Sequence, residues 1–528
     1  MSEEEKQLPG SGSAAGSDAR TAGRGGVAVL GAKLFFLVIG FVQQPLLRLA
    51  VGLNDFGAIA QVNVVSNWIN NVVISGGTQG VSRMVAGAKG NEKEALRAAL
   101  RVHVPLAFVV AGVMALVAPL YARFEHADDV VAPLLVMAGV ALLYGFYAPL
   151  IGYLNGSNRF GRQALLDVIF ATLRTAGLIG VGYAFVKQGL SGVLGTTVGW
   201  LGAAALIVPL ALRSTGLGKP VPAGARPNGV PGTGAYLGGL APIAGAQLCT
   251  SALLQIDIGL LGRFLSEGAA TVGLDAEPQR ALVKQWVGIY RECQTFAFLP
   301  YQLLFSVTLI LFPMLARAKA AGDSEAMRSH VARGARLAAI FGGLLVSVVV
   351  AMPESMLAFA YNKADAATGA DVLRTMALAQ AAFAMLGIAT TVLTSIGRER
   401  MAALLTLSAV IAVGGACALL VPRASFGHDQ LVRSAQASGV ALLATLVVAG
   451  FIVKRQTGAF VPVATAVRVG IALGVCVAVG FVTPRFGRLL TPLAAIAVAA
   501  AYLGLLVVTG ELGKADLATA RGILRRKA

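Results

Sequence analysis

Residues 83–101 read RMVAGAKGNEKEALRAALR, and residues 313–333 read PMLARAKAAGDSEAMRSHVAR. Met84, Ala86, Ala88 and Lys89 of the first stretch align with Met314, Ala316, Ala318 and Lys319 of the second. After a slip of one residue, Glu94, Ala95 and Arg97 align with Glu325, Ala326 and Arg328. A second pair, NRFGRQALL (158–166) and GRERMAALL (397–405), shares an arginine and an Ala-Leu-Leu run at a similar separation. Two loops matched at a common offset indicate an internal duplication.

The sequence between these loops fixes what is duplicated. Of the 528 residues 56% are hydrophobic and 13% charged, with a mean hydropathy of +0.75. A soluble chain carries about 25% charged residues, so this is an integral membrane protein. A span needs about 20 mostly apolar residues, and fourteen stretches qualify. They run from 27–50 and 56–76 to 461–482 and 489–509, and the second, the eighth (288–312) and the tenth (371–395) are the least apolar. Six fall in each copy. An even number gives both copies one orientation, the arrangement of parallel repeats related by an axis along the membrane normal.

The expected fold is therefore all-α, with about fourteen transmembrane helices in two six-helix parallel repeats followed by two more helices. Residues 1–26 read as a disordered cytoplasmic tail without the apolar core of a signal peptide. Residues 27–212 and 234–453 form the two lobes, joined by a Pro/Gly-rich linker at 213–233. Residues 454–509 hold the two additional helices, and 510–528 form a basic amphipathic tail at the lipid surface.

Charge distribution sets the orientation and excludes one function class. With the N-terminus cytoplasmic, most Lys and Arg fall in cytoplasmic segments, whereas the opposite loops carry acids such as Glu125, Asp128, Asp129, Glu267, Asp275 and Glu277. The net charge of +18 and pI near 10.1 thus follow the positive-inside rule and imply no nucleic-acid partner. Both termini are expected in the cytoplasm, and the expected location is the bacterial inner membrane. Cys249, Cys293, Cys417 and Cys476 sit in apolar segments without CxxC spacing, and the four histidines lack ligand spacing. No metal or cofactor is expected, and no catalytic motif appears.

Polar stripes run along several spans. Asn63, Asn67, Asn70 and Asn71 share one helical face in the second; Gln247, Thr250, Ser251 and Gln255 do so in the seventh. Arg291, Thr295, Phe298, Gln302 and Ser306 form a third stripe, bordered by Gln294. Such groups serve either as interhelical hydrogen-bond glue or as the wall of a wet cavity. Amides and hydroxyls suit a hydroxyl-rich ligand, and Lys33, Arg48, Arg263, Arg291 and Arg374 suit an anion, because arginine grips phosphate bidentately. Together they point to a sugar–phosphate ligand. Snorkelling accounts for Arg48 and Arg263 nearly as well, and Arg291 with Glu292 also reads as an interfacial pair. The embedded acids available for ion coupling are Asp167, Asp257 and Glu292.

Several stretches resemble a known family: DFGAIAQV (55–62), GYLNGSNRFGRQALL (152–166), LLQIDIGLLGRFL (253–265), VGIYRECQTFAFLPYQLLFSVTLILFPMLARA (287–318) and TGELGKADLATARGILRRK (509–527). They are similar to the polysaccharide-biosynthesis transport proteins, the O-antigen and lipid-linked oligosaccharide flippases of the multidrug/oligosaccharidyl-lipid/polysaccharide exporter superfamily. The 287–318 block also resembles the superfamily's lipid II flippases. The resemblance implies a V-shaped pair of six-helix lobes around a central cavity. It also implies alternating access and a transporter, not an enzyme. The implied function is to move an undecaprenyl-diphosphate-linked glycan from the cytoplasmic to the periplasmic leaflet, driven by H+, Na+ or the membrane potential. Implied partners are that lipid-linked oligosaccharide, membrane lipids, and a glycan polymerase or ligase. Lys33, Arg48 and Arg291 are the nearest counterparts of the lipid II flippases' cavity arginines. The alternatives are a lipid II flippase, a drug or cation antiporter of the superfamily, and a membrane glycosyltransferase or ligase.

Overall fold

The computed structural model describes residues 31–32, 34–88, 90–217, 232–273 and 275–513, with side chains apart from those of 69, 303–307, 309, 310, 313 and 316. Lys33, the 1–26 tail, residues 218–231 of the linker and residues 514–528 of the C-terminal tail lie outside it.

Among the described residues there is no strand, and twelve helices are long and apolar enough to cross a membrane. The chain is a multi-pass, all-α membrane protein. In order, its helices are α1 (Leu34–Val51), α2 (Leu53–Asn71), α3 (Gly77–Gly87), α4 (Glu92–Glu125), α5 (Val131–Gly156), α6 (Phe160–Lys187) and α7 (Gly192–Thr215). Then follow α8 (Thr233–Ala269), α9 (Ala276–Ala297), α10 (Leu299–Ala320), α11 (Ser324–Ala351), α12 (Pro353–Ala360), α13 (Lys363–Ser395), α14 (Glu399–Leu420), α15 (His428–Thr457), α16 (Val463–Val482) and α17 (Thr491–Val508).

The two sequence-predicted spans outside the twelve are the second and the eighth, and in the structure both are interrupted. Each is a helix broken in two. After the asparagine-rich α2 the chain widens into a π-turn at Val72–Gly76 and resumes as α3. A π-turn adds a residue to the ring of each hydrogen bond and recurs at functional sites. The charged α9 ends at Phe298, which caps both it and α10. Pro300 lacks the N–H that would bond the carbonyl four residues back, so the ladder cannot run through. The two breaks lie about as far apart in sequence as the first pair of duplicated loops, to within about two turns.

The chain divides into two compact units. The first comprises Met1–Gln43, Ser66–Ala118 and Val131–Leu248; the second comprises Gln44–Val65, Pro119–Val130 and Cys249–Ala528. In the first, α6 and α7 approach backbone to backbone: a Cβ on Gly199 would stand 2.0 Å from the carbonyl oxygen of Gly177. Such contact without side chains is how helices pack tightly in a bilayer. Trp200 donates to Tyr144, while Arg174 lies over the rings of Phe36 and Trp200, at 4.8 and 5.5 Å. His103 bonds Tyr236 at 2.7 Å, in the layer beneath Gly77 and Gly80.

The second unit has its core in α11, α13 and α15, rich in buried Val, Ala and Leu. On its predicted cytoplasmic side Glu511 receives Arg336 at 2.7 Å, Thr465 at 2.7 Å and Arg468 at 3.2 Å, which ties the end of α17 to α11 and α16.

Candidate functional site

The second unit gathers the embedded charges around α9, beginning with a turn at Gly52. Its φ of +86° lets α1 end and α2 start within one residue, which carries Arg48 back beside α9. There Arg48 Nε lies 2.9 Å from Glu292 Oε1, and Nη2 lies 2.6 Å from Asp365 Oδ2. Asp365 is held by the cap of α13: Asn362 accepts its N–H at 2.8 Å and donates to its carboxylate at 2.7 Å. One guanidinium thus faces two carboxylates, and the second oxygen of Glu292 has no partner. Phe56 of α2 and Phe296 of α9 both pack on Tyr361.

Two residues before Glu292, on the next face of α9, Tyr290 donates to Asp257 of α8 at 2.8 Å. Asp257 also accepts from Ile258 N at 2.8 Å and, more weakly, from Gln294 Nε2 at 3.5 Å. The oxygen of Gln294 accepts from Arg291 at 3.1 Å. Among the described residues Arg291 makes no direct ion pair; Gln294 bridges it to Asp257, with which its charge interacts.

α2 and α9 cross at glycines. A Cβ on Gly57 would lie 1.9 Å from the Lys284 carbonyl oxygen, and one on Gly288 would lie 2.6 Å from Leu53 Cδ1. Next to the crossing, Gln61 and Tyr121 donate to Glu125 at 3.2 and 3.1 Å, and Ser266 donates to the Glu125 carbonyl at 2.9 Å. Glu125 is wholly buried. A cavity of about 490 Å³ opens beside this group, lined by Gln61 of α2, the α4–α5 connection, the end of α8 with its connection to α9, and the start of α9.

The other expected residues are distributed as follows. Asn63 and Asn67 are half-buried, whereas Asn70 is buried with both amide atoms lacking a partner. Gln247 is half-buried; Ser251 and Gln255 are buried. Gln302 is exposed. Arg374 is engaged elsewhere, by Asp371 at 3.0 Å, by the carbonyls of Val350 and Gly480, and by the face of Phe481. Asp167 is half-buried on α6, in the first unit. Of the residues expected in the site, the structure brings together Arg48 with Glu292, and Asp257 with Gln294 and Arg291.

Asp365, Gln61, Tyr121 and Glu125 were absent from the expected site. Glu125, read as a loop acid, is the last residue of α4. It continues the buried series Met114, Ala118, Ala122 at helical spacing, which was the available signal. For Asp365, the signal was an asparagine three residues ahead of an acid at a helix start.

A family model described as polysaccharide biosynthesis protein matches residues 22–319, more than half of the chain. The chain belongs to that family. No curated protein sequence matches it. Among solved structures, the lipid II flippase MurJ in its inward closed conformation has a TM-score of 0.69 at 12% identity, over 91% of this chain and 98% of that one. An inward-facing multidrug resistance MATE family transporter of the MOP superfamily has a TM-score of 0.61 at 14% identity, over 81% and 98%. A MOP superfamily transporter from Pyrococcus furiosus, described as having a binding pocket of reversed polarity, gives 0.56 at 12%, over 81% and 95%. The fold is that of these transporters.

Proposed function

We propose that this protein flips an undecaprenyl-diphosphate-linked glycan from the cytoplasmic to the periplasmic leaflet of the bacterial inner membrane by alternating access. One observation carries the reading: the segment that matches the polysaccharide biosynthesis family, 22–319, contains the α2–α9 crossing, its ion pair from Arg48 to Glu292, and Arg291, which meets Asp257 only through Gln294. Arg291 supplies the charge for the diphosphate, and the amides of Asn63 on α2 and Gln255 on α8 supply partners for sugar hydroxyls. The glycine crossing is the contact that parts when the site opens outward. Asp257 and Glu292 are the groups on which a coupling proton or sodium ion acts.

The fold match to the lipid II flippase over 91% of this chain favours a second reading, in which the glycan is that of lipid II. Proteoliposomes loaded with either lipid-linked glycan in labelled form separate the two. Transfer to the far leaflet, read by a membrane-impermeant quencher, should exceed that of empty liposomes for one of them. Equal rates for both lipids with and without protein would remove the flippase reading. Direction is tested in cells: an impermeant thiol reagent outside should label Asp275→Cys and leave Ala225→Cys untouched.

A further inference from the structure

The cavity beside Gln61 takes no part in the mechanism proposed above, yet its lining has a definite chemical character. Its charges cancel, since Asp129 and Glu267 face Arg280 and Lys284. They are also already paired: Lys284 holds Asp129 at 2.6 Å, and Arg280 reaches Asp128 at 3.6 Å. Neither a free anion nor a free cation finds an unmatched charge here. What remains unmatched is an amide. Gln61 is 1% exposed, spends its Nε2 on Glu125, and leaves Oε1 without a donor. A buried acceptor without a partner costs about 1–3 kcal/mol, so this position favours a ligand that brings a hydroxyl or amide hydrogen. The Gln279 amide offers both a donor and an acceptor to the same volume. The rest of the wall is His126, Ser266, whose hydroxyl is spent on the carbonyls of Glu125 and Gly262, and a small apolar patch of Ala127, Ala270, Ala276 and Val283 that suits the C–H face of a sugar ring.

We propose that this cavity is a saccharide-binding site for one or two neutral, hydroxyl-rich sugar residues, with Gln61 Oε1 accepting from a sugar hydroxyl and Gln279 bonding a neighbouring one. Gln61 and Asp129 come from the first copy of the repeat and Gln279, Arg280 and Lys284 from the second, so a bound sugar bridges segments of both. The chemistry is that of a saccharide whether the sugars are free or belong to a lipid-linked glycan; that second assignment rests on the flippase reading.

The test uses the full-length protein in lipid nanodiscs, with N,N′-diacetylchitobiose as the probe and inorganic pyrophosphate as the competing anion. Saturation-transfer NMR should show the disaccharide bound, with pyrophosphate unable to displace it. Gln279→Ala and Gln61→Leu should each weaken binding about tenfold, the loss of one hydrogen bond. Gln279→Ala keeps the measurement decisive if Gln61→Leu disturbs Glu125. Absent binding, binding unchanged in both variants, or displacement by pyrophosphate would overturn the proposal. A parallel proteoliposome assay assigns the source. Slower transfer of lipid-linked glycan by Gln279→Ala places the sugars of the transported lipid in the cavity, while unchanged transfer with weakened disaccharide binding makes it a site for free saccharide. If the wild type transfers no glycan lipid yet binds the disaccharide, the flippase reading fails and the saccharide site stands.

Discussion

Arg48 and Glu292 are 244 positions apart in sequence, yet the Nε of one lies 2.9 Å from a carboxylate oxygen of the other. Asp365, 317 positions from Arg48, takes the second edge of the same guanidinium at 2.6 Å. Removing one partner of a buried pair costs about 3–5 kcal/mol, because the group left behind stays buried and charged. Arg48→Ala leaves two carboxylates together and should lower the melting point of the detergent-solubilised protein sharply. Arg48→Ala combined with Glu292→Gln should recover part of the loss. A single variant that melts like the wild type would show that the pair contributes nothing to the fold.

Much of this fold was legible in the sequence, and the reasons are local. Apolar runs of span length and the duplicated loops predicted an all-helical membrane chain, because both signals lie within a few tens of residues. The partners of the charges were not legible. Nothing near Glu292 names Arg48, and nothing near Gln61 names Glu125, since such pairs form only when distant helices meet. Arg48 was expected as a phosphate ligand, and the structure shows its fork occupied by carboxylates. Arg291, expected in the same role, makes no direct ion pair and meets Asp257 through Gln294. Polarity on a helix face marks a residue as unusual; its partner decides what it does.

Asn70 is the clearest orphan of the asparagine stripe. It ends α2 next to the π-turn, is 3% exposed, and satisfies neither amide atom. Unpaired buried polar groups cost about 1–3 kcal/mol each. Asn70→Ala should therefore leave thermal stability unchanged or raise it, while glycan transfer falls. A variant both less stable and fully active would mean that the amide serves the fold alone.

The glycine crossing offers a test of rigidity. A Cβ on Gly57 meets a backbone oxygen at 1.9 Å, and no rotamer change relieves a clash with backbone. Gly57→Ala should prise α2 from α9 at a cost of about 1–3 kcal/mol. Hydrogen exchange should rise in residues 53–61 and 284–292 and stay constant in α6 and α7. Exchange unchanged at the crossing would show that the two helices separate freely.

Glu511 predicts a pH dependence. Burial opposes its charge, but the hydrogen bonds from Arg336, Thr465 and Arg468 outweigh that and hold its carboxyl below the ordinary range. A group with a depressed folded-state value stabilises above its unfolded value, and that contribution is lost as pH falls through the folded one. The wild type should therefore melt above Glu511→Gln at neutral pH, with the gap closing on acidification below the ordinary carboxylate range. A gap that stays constant with pH would assign the effect to packing.

Arg291 carries the sharpest functional test. Its neighbour Glu292 is spoken for by Arg48, and its own hydrogen bond goes to the neutral Gln294 at 3.1 Å. A half-buried guanidinium in no direct contact with a carboxylate leaves donors free for an anion, and its planar fork matches two phosphate oxygens at once. Arg291→Lys keeps the charge and loses the fork; Arg291→Ala loses both. If Arg291 grips the diphosphate, the alanine variant should reach the membrane in normal amount and transfer no glycan lipid. The lysine variant should recover only part of the rate, and its loss should appear mainly as weaker binding of the lipid. Because Arg291 meets Asp257 only through Gln294, the alanine variant should lose less stability than Arg48→Ala. Full transfer by Arg291→Ala would leave this arginine an ordinary polar residue of α9 and require the diphosphate to be held elsewhere.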